Sequence, residues 1–167
     1  MSAKLYLARN GPVGSTAALP KVTTGTAIKT MMQLLNSTDD MRVVEWGISF
    51  DGSAAATPIQ CELITTSTVA STGTAMVAAD ITLFSSPAAV APSTMTYSTT
   101  GCSYTATAEG TVTTLRTGDI QQVAPTNQYV KQFPLSREFE VAATNVLRIR
   151  VTATVAVNAY CYVIFEI

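Results

Sequence analysis

From Arg42 to Phe50 the chain runs Arg-Val-Val-Glu-Trp-Gly-Ile-Ser-Phe, setting Val44, Trp46, Ile48 and Phe50 on one side of an extended backbone and Val43, Glu45, Gly47 and Ser49 on the other. A period of two excludes a helix here, because a helical apolar stripe recurs every three or four residues. The segment reads as a half-buried strand, and the Asp51-Gly52 pair that follows is a turn signal.

The same period recurs along the chain. Ile59, Cys61 and Leu63 alternate with Gln60, Glu62 and Ile64, and Leu147, Ile149 and Val151 alternate with Arg148, Arg150 and Thr152. The stretch from Asn158 to Ile167 is apolar on both sides, with Cys161, Val163, Phe165 and Ile167 on one and Tyr160, Tyr162 and Ile164 on the other. Such a strand belongs at the centre of a sandwich or at a subunit contact. Shorter strands are expected at Ala3 to Ala8, Met76 to Phe84, Tyr104 to Ala108, Thr111 to Leu115, Tyr129 to Phe133 and Phe139 to Val141. Between Ile28 and Leu35 both periods fit, since Ile28, Met31, Met32 and Leu35 have helical spacing behind Thr26 while Ile28, Thr30, Met32 and Leu34 alternate. The β character of everything around it decides for a strand.

Many short strands separated by Gly, Pro, Asn and Ser predict an all-β chain, a two-sheet antiparallel sandwich of jelly-roll type. Residues 1–26 are expected to form an N-terminal arm with a short strand, and residues 27–167 a single sandwich domain. Thr68 to Thr74 and Ser85 to Cys102 become long surface loops.

The surface of this sandwich is unusual. The sequence is 47% hydrophobic and only 13% charged, so hydroxyls, amides and methyls must cover it. A surface so short of long charged side chains suits being covered by a neighbour. Ten Lys and Arg against eleven Asp and Glu leave a net charge of −1, which provides no field for a phosphate backbone or an anionic bilayer. Neither nucleic acid nor membrane is an expected partner. Met1 to Asn10 holds Lys4 and Arg9 and no apolar run of signal-peptide length, so folding in a cytoplasm is expected.

Histidine is absent, which removes Ser-His and Cys-His nucleophile pairs and the His-rich metal sites of cupin-type sandwiches. Cys61, Cys102 and Cys161 are odd in number and far apart, fitting neither a disulfide framework nor a zinc site, and read as buried thiols. Gly11-Pro-Val-Gly-Ser-Thr lacks the Lys of a phosphate loop. Glu138 and Glu140 share a face but lack the aromatic-lined cleft of a glycosidase. Asp39, Asp40 and Asp51 lack the Asp-x-Asp-x-Asp spacing of a calcium loop and read as turn residues. Asn36-Ser-Thr matches a glycosylation pattern without a secretory context to use it. No enzyme, cofactor or metal is expected.

The blocks Arg42 to Leu63, Val123 to Leu135, and Leu147 to Val151 followed by Cys161 to Glu166 resemble, in order and texture, small jelly-roll head-decoration (cement) proteins of tailed bacteriophages. The resemblance spans roughly residues 27–167 and carries no catalytic motif. It implies a homo-oligomer, a trimer, made in the host cytoplasm and bound to the major capsid protein on the outside of an assembled head. Contact anchors are expected at Tyr160, Tyr162 and Ile164, the second apolar face of the last strand, and at Arg148 and Arg150, the outward face of theirs. Two other readings are a tail or baseplate component and a lectin-like module. A lectin needs aromatic platforms beside polar groups on its loops, and the long loops offer only Tyr97.

Overall fold

The computed structural model describes residues 4–12, 21–53, 57–86, 92–111 and 113–167. The strands are β1 (Leu5–Arg9), β2 (Val22–Thr23), β3 (Ile28–Leu35), β4 (Met41–Phe50), β5 (Ile59–Thr66), β6 (Thr72–Ala75), β7 (Ile81–Leu83), β8 (Ser103–Ala108), β9 (Thr114–Val123), β10 (Gln128–Gln132), β11 (Phe139–Val141), β12 (Val146–Thr152) and β13 (Asn158–Glu166). A 3-10 turn, Ala78–Asp80, precedes β7.

They form two antiparallel sheets packed as a sandwich. Sheet A runs β10-β4-β13-β1-β7, with β11 also on β4 and β2 on β13; sheet B runs β6-β8-β3-β12-β5-β9. Inward-facing Trp46, Cys161, Val163 and Phe165 of sheet A meet Met32, Leu34, Leu63, Leu147 and Ile149 of sheet B in one buried cluster. This is the layer logic of a sheet that is apolar on one face and must cover it.

The first residues are no appendage. β1 lies between β13 and β7, its Tyr6 and Ala8 are buried in the core, and β2 pairs with β13. The segment expected as an arm therefore supplies two strands to the same sandwich. Of the phosphate-loop look-alike, Val13 to Thr16 lie outside the described residues.

Strand β4 departs from strict alternation. Ile164 of β13 faces Glu45 while the next residue, Phe165, faces Val43, so Val44 is an extra residue opposite no partner. This bulge reverses the phase of the strand: Val43, expected outside, is fully buried, and Val44, expected inside, is only half-buried. Its carbonyl instead accepts from the Phe133 N–H at 2.8 Å, where the chain crosses from β10 to β11. A second bulge inserts Met31 into β3, so that Met31 and Met32 are both buried. The mixed period of that segment comes from this insertion, and the segment is a strand.

Strand β9 runs from Thr114 to Val123, well past the expected Thr111 to Leu115. Its Gly118 stands at a register shift opposite the Leu63–Ile64 step, where an added Cβ would lie 2.7 Å from the Phe139 ring. Only glycine lets the two sheets approach there. The expected strand Met76 to Phe84 is shortened to β7 by the 3-10 turn, whose Asp80 carboxylate accepts from the Val77 N–H at 2.9 Å. The expected loop from Thr68 contains β6 from Thr72 onward.

Candidate functional site

The two outer faces of the sandwich differ, and the difference locates the site. On sheet B, Gln33, Arg148 and Ile64 form a row turned away from the core. All three are buried, because the segment after β5 and the end of the β8 segment lie over them. The Gln33 amide donates to the Ser71 carbonyl at 2.9 Å, and its oxygen accepts from the Ser71 N–H and hydroxyl at 2.9 and 2.8 Å. Arg148 donates to the Val69 carbonyl at 3.0 Å and lies 3.5 Å from the Glu109 carboxylate. That carboxylate also accepts from the Thr30 N–H, and from its hydroxyl at 2.6 Å. Burial pulls the Arg148 guanidinium down from its ordinary value, and Glu109 opposes the shift.

Arg148 is thus a clamp under the protein's own loops, with 0% of its side chain exposed, and offers nothing to a partner. The expectation that it would stand on an open face is corrected by this roof, whose Val69 and Glu109 carbonyls and Glu109 carboxylate take the two terminal nitrogens of the guanidinium, while its buried Nε has no hydrogen-bond partner among the described residues. Arg150 is less covered and is held at 2.7 Å by Glu62, which accepts from Gln60 as well.

Sheet A is turned the other way. Its outer face carries Val130 on β10, Tyr160, Tyr162 and Ile164 on β13, and Leu5 and Leu7 on β1, in register. Phe84, joined by its N–H to the Leu5 carbonyl, is 56% exposed and Val130 51%. The Tyr162 ring lies across Gly47, where a Cβ would come within 2.5 Å of it, and its hydroxyl donates to Glu45 at 2.6 Å. Burial and this carboxylate both push the Tyr162 hydroxyl above its ordinary value, so it stays a donor. Tyr160 is also pushed up by burial, against an opposing hydrogen bond from Arg9. The three residues expected at a contact therefore share one face, as β13 geometry requires, with Ile164 the most enclosed at 9% exposure.

Two small clefts open on either side of Tyr160. One, of about 150 Å³, is bounded by Lys21, Ser49, Asp51 and Asn158; the other, of about 120 Å³, by Gln128, Tyr129, Val130 and Tyr162. No protein-family model, curated protein or solved structure matches this chain. The function must be argued from these surfaces.

The remaining sequence candidates are turn and surface residues. Asp40 accepts from the Ala143 N–H at 2.8 Å, the Asn36 side-chain amide oxygen accepts from the Thr38 and Asp39 N–H groups, and Glu140 pairs with Arg42 at 3.3 Å. Glu138 accepts from the Ser136 N–H at 3.0 Å, away from any shared task with Glu140. Among the described residues, no group of three or more His, Cys, Asp or Glu side chains could hold a metal ion.

Asp119 was not legible as special. It is 8% exposed between the sheets, and its Oδ2 accepts from the Tyr129 hydroxyl at 2.8 Å and the Trp46 indole at 3.3 Å. Gln121 donates to its other oxygen at 3.1 Å, and Lys131 stands 3.9 Å away. Tyr129 is pushed up to about 12 by burial first and by Asp119 second.

All three cysteines are buried and free. Burial pushes Cys61 and Cys102 up to about 12, and Cys161 further. Thiol reagents attack the thiolate, so the folded protein at pH 8 should give essentially no reaction with a disulfide reagent, and three equivalents after unfolding in guanidinium. A rapidly reacting thiol in the folded state would contradict the burial.

Proposed function

We propose that the chain is a structural virion protein, a jelly-roll decoration or cement protein that binds the outside of an assembled tailed-phage head as a homo-oligomer and stabilises it. The observation that carries this reading is the outer face of sheet A: the central Gln33–Arg148–Ile64 row of sheet B lies under its own loops, whereas on sheet A part-exposed Leu5, Leu7, Tyr160 and Tyr162 stand with Val130 and Phe84, which are 51% and 56% exposed. Such a face on a sparsely charged protein is a contact surface in waiting. Tyr162, Ile164, Leu5, Leu7 and Phe84 form its apolar end. Copies of the chain and the major capsid protein are the partners proposed for it.

The mechanism is mass action. A protein that binds the assembled shell and not its free subunits stabilises the shell in proportion to the logarithm of its concentration over its dissociation constant. Repetition on a symmetric lattice multiplies the effect of each weak contact.

Co-migration with intact particles in a density gradient tests the reading. Phe84→Asp, at a side chain that is 56% exposed and costs the fold little, should lower particle occupancy or dissociate the oligomer by at least about tenfold, the effect of a charge placed in an apolar contact. A chain that never travels with particles overturns the proposal. One that travels with tails instead of heads would make it a tail or baseplate component.

A further inference from the structure

The apolar end of the sheet A face accounts for a contact, but the Tyr160 end has a different chemistry. Tyr160 borders two clefts of about 150 and 120 Å³ and forms a wall of both. At the rim of the larger cleft, Asp51 accepts a hydrogen bond from Lys21, with Asn158 beside it. Its backbone N–H also donates to the Asn158 carbonyl at 3.2 Å. Ser49 borders both clefts, and Gln128 adds an amide in the smaller one.

An aromatic face flanked by a carboxylate, amides and an ammonium suits a molecule with one apolar surface and a rim of hydroxyls. Each sugar hydroxyl both donates and accepts, so adjacent hydroxyls are matched by an acceptor such as Asp51 beside donors such as Asn158 and Lys21. The axial C–H surface of a pyranose ring packs on a phenol as other apolar groups do. A wholly apolar ligand would leave the Asp51 cluster desolvated without compensation. A phosphate or sulfate group would meet the Asp51 charge. The clefts are below the size of a drug pocket and suit one or two sugar rings lying along the sheet.

We propose that this groove binds a neutral saccharide, with one pyranose ring stacked on Tyr160 and its hydroxyls held by the Asp51–Asn158–Lys21 cluster. The site comes from three separate stretches: β13 supplies Tyr160 and Asn158, the end of β4 supplies Ser49 and Asp51, and Lys21 comes from the residue before β2. The aromatic platform that the loops lack is on a strand. This binding does not depend on the protein being a decoration protein.

Titration calorimetry and saturation-transfer NMR against lactose, maltose, cellobiose and chitobiose provide the test. At least one disaccharide should bind in the millimolar range or tighter. Tyr160→Ala should weaken it at least about tenfold, Tyr160→Phe should change it by less than about threefold because the ring remains, and Asp51→Asn should weaken it measurably. Oligomeric state and particle binding should be unchanged in Asp51→Asn, which lies off the apolar contact, so that loss of the sugar and loss of the contact surface are read separately. Failure of all four sugars to bind at millimolar concentration, or binding that survives Tyr160→Ala unchanged, overturns the proposal.

Discussion

Replacing Glu109 with alanine should cost about 3–5 kcal/mol of unfolding free energy, read as a shift of the urea midpoint at constant slope. The loss has two parts. Arg148 is fully buried and lies 3.5 Å from this carboxylate, so its charge would be left without a counter-ion. Thr30 would lose the acceptor for both its N–H and its hydroxyl. An alanine at a surface glutamate ordinarily changes stability by less than about 0.5 kcal/mol, so the contrast is large. The roof over sheet B should loosen first, which hydrogen exchange at Ser71, whose N–H donates to Gln33, would detect as lost protection. The double change Glu109→Ala with Arg148→Met should recover much of the loss, because an apolar side chain in that slot needs no partner. If Glu109→Ala is neutral and the double variant is no better, the clamp is not what holds the roof down.

The second large effect is expected at Asp119. Asp119→Ala removes the acceptor shared by the Trp46 indole and the Tyr129 hydroxyl, and a buried donor without an acceptor costs about 1–3 kcal/mol. The expected total is about 2–4 kcal/mol, since the partly exposed Lys131 is screened by water and contributes little. Trp46 is the sole tryptophan and is fully buried, so its emission should shift to the red in the native baseline as water enters the seam between β9 and β10. Asp119→Asn keeps an acceptor and should recover part of the loss. Equal stability of Asp119→Ala and the parent would mean that the sheets are held at this edge by apolar packing alone.

Both residues show where reading the sequence stops. Glu109 sits in a Ser/Thr/Ala-rich stretch and Asp119 in the polar run Thr-Gly-Asp-Ile-Gln-Gln, which carries no alternation. Each acquires its role from a residue more than thirty positions away: Arg148 for Glu109, and Trp46 for Asp119. Arg148 illustrates the converse. Its place on the outer side of β12 followed from alternation with Leu147 and Ile149, but its burial depends on two other segments folding over it.

The β bulges set another limit. At Val44 and Met31 one inserted residue reverses which side chains face inward, and nothing in the residue types announces it. In strands without an insertion, such as β12 and β13, the expected alternation of faces matches the structure, although the outer face of β12 is covered at Arg148. The shared face of Tyr160, Tyr162 and Ile164 was readable for that reason. The approach of Asp51 and Lys21 to Tyr160 and its strand neighbour Asn158 was not, because it joins chain positions more than a hundred residues apart.

Local alternation of apolar and polar residues was enough to determine an all-β chain with two layers, since a period of two fixes which side chains share a face wherever the backbone is extended. The tertiary structure alone decided which row of sheet B was covered by loops, which charges were enclosed and which polar groups converged beside an aromatic ring. Those outcomes depend on how strands distant in sequence are ordered in the sheets and where loops come to rest, and a periodicity confined to neighbouring residues contains no term for either.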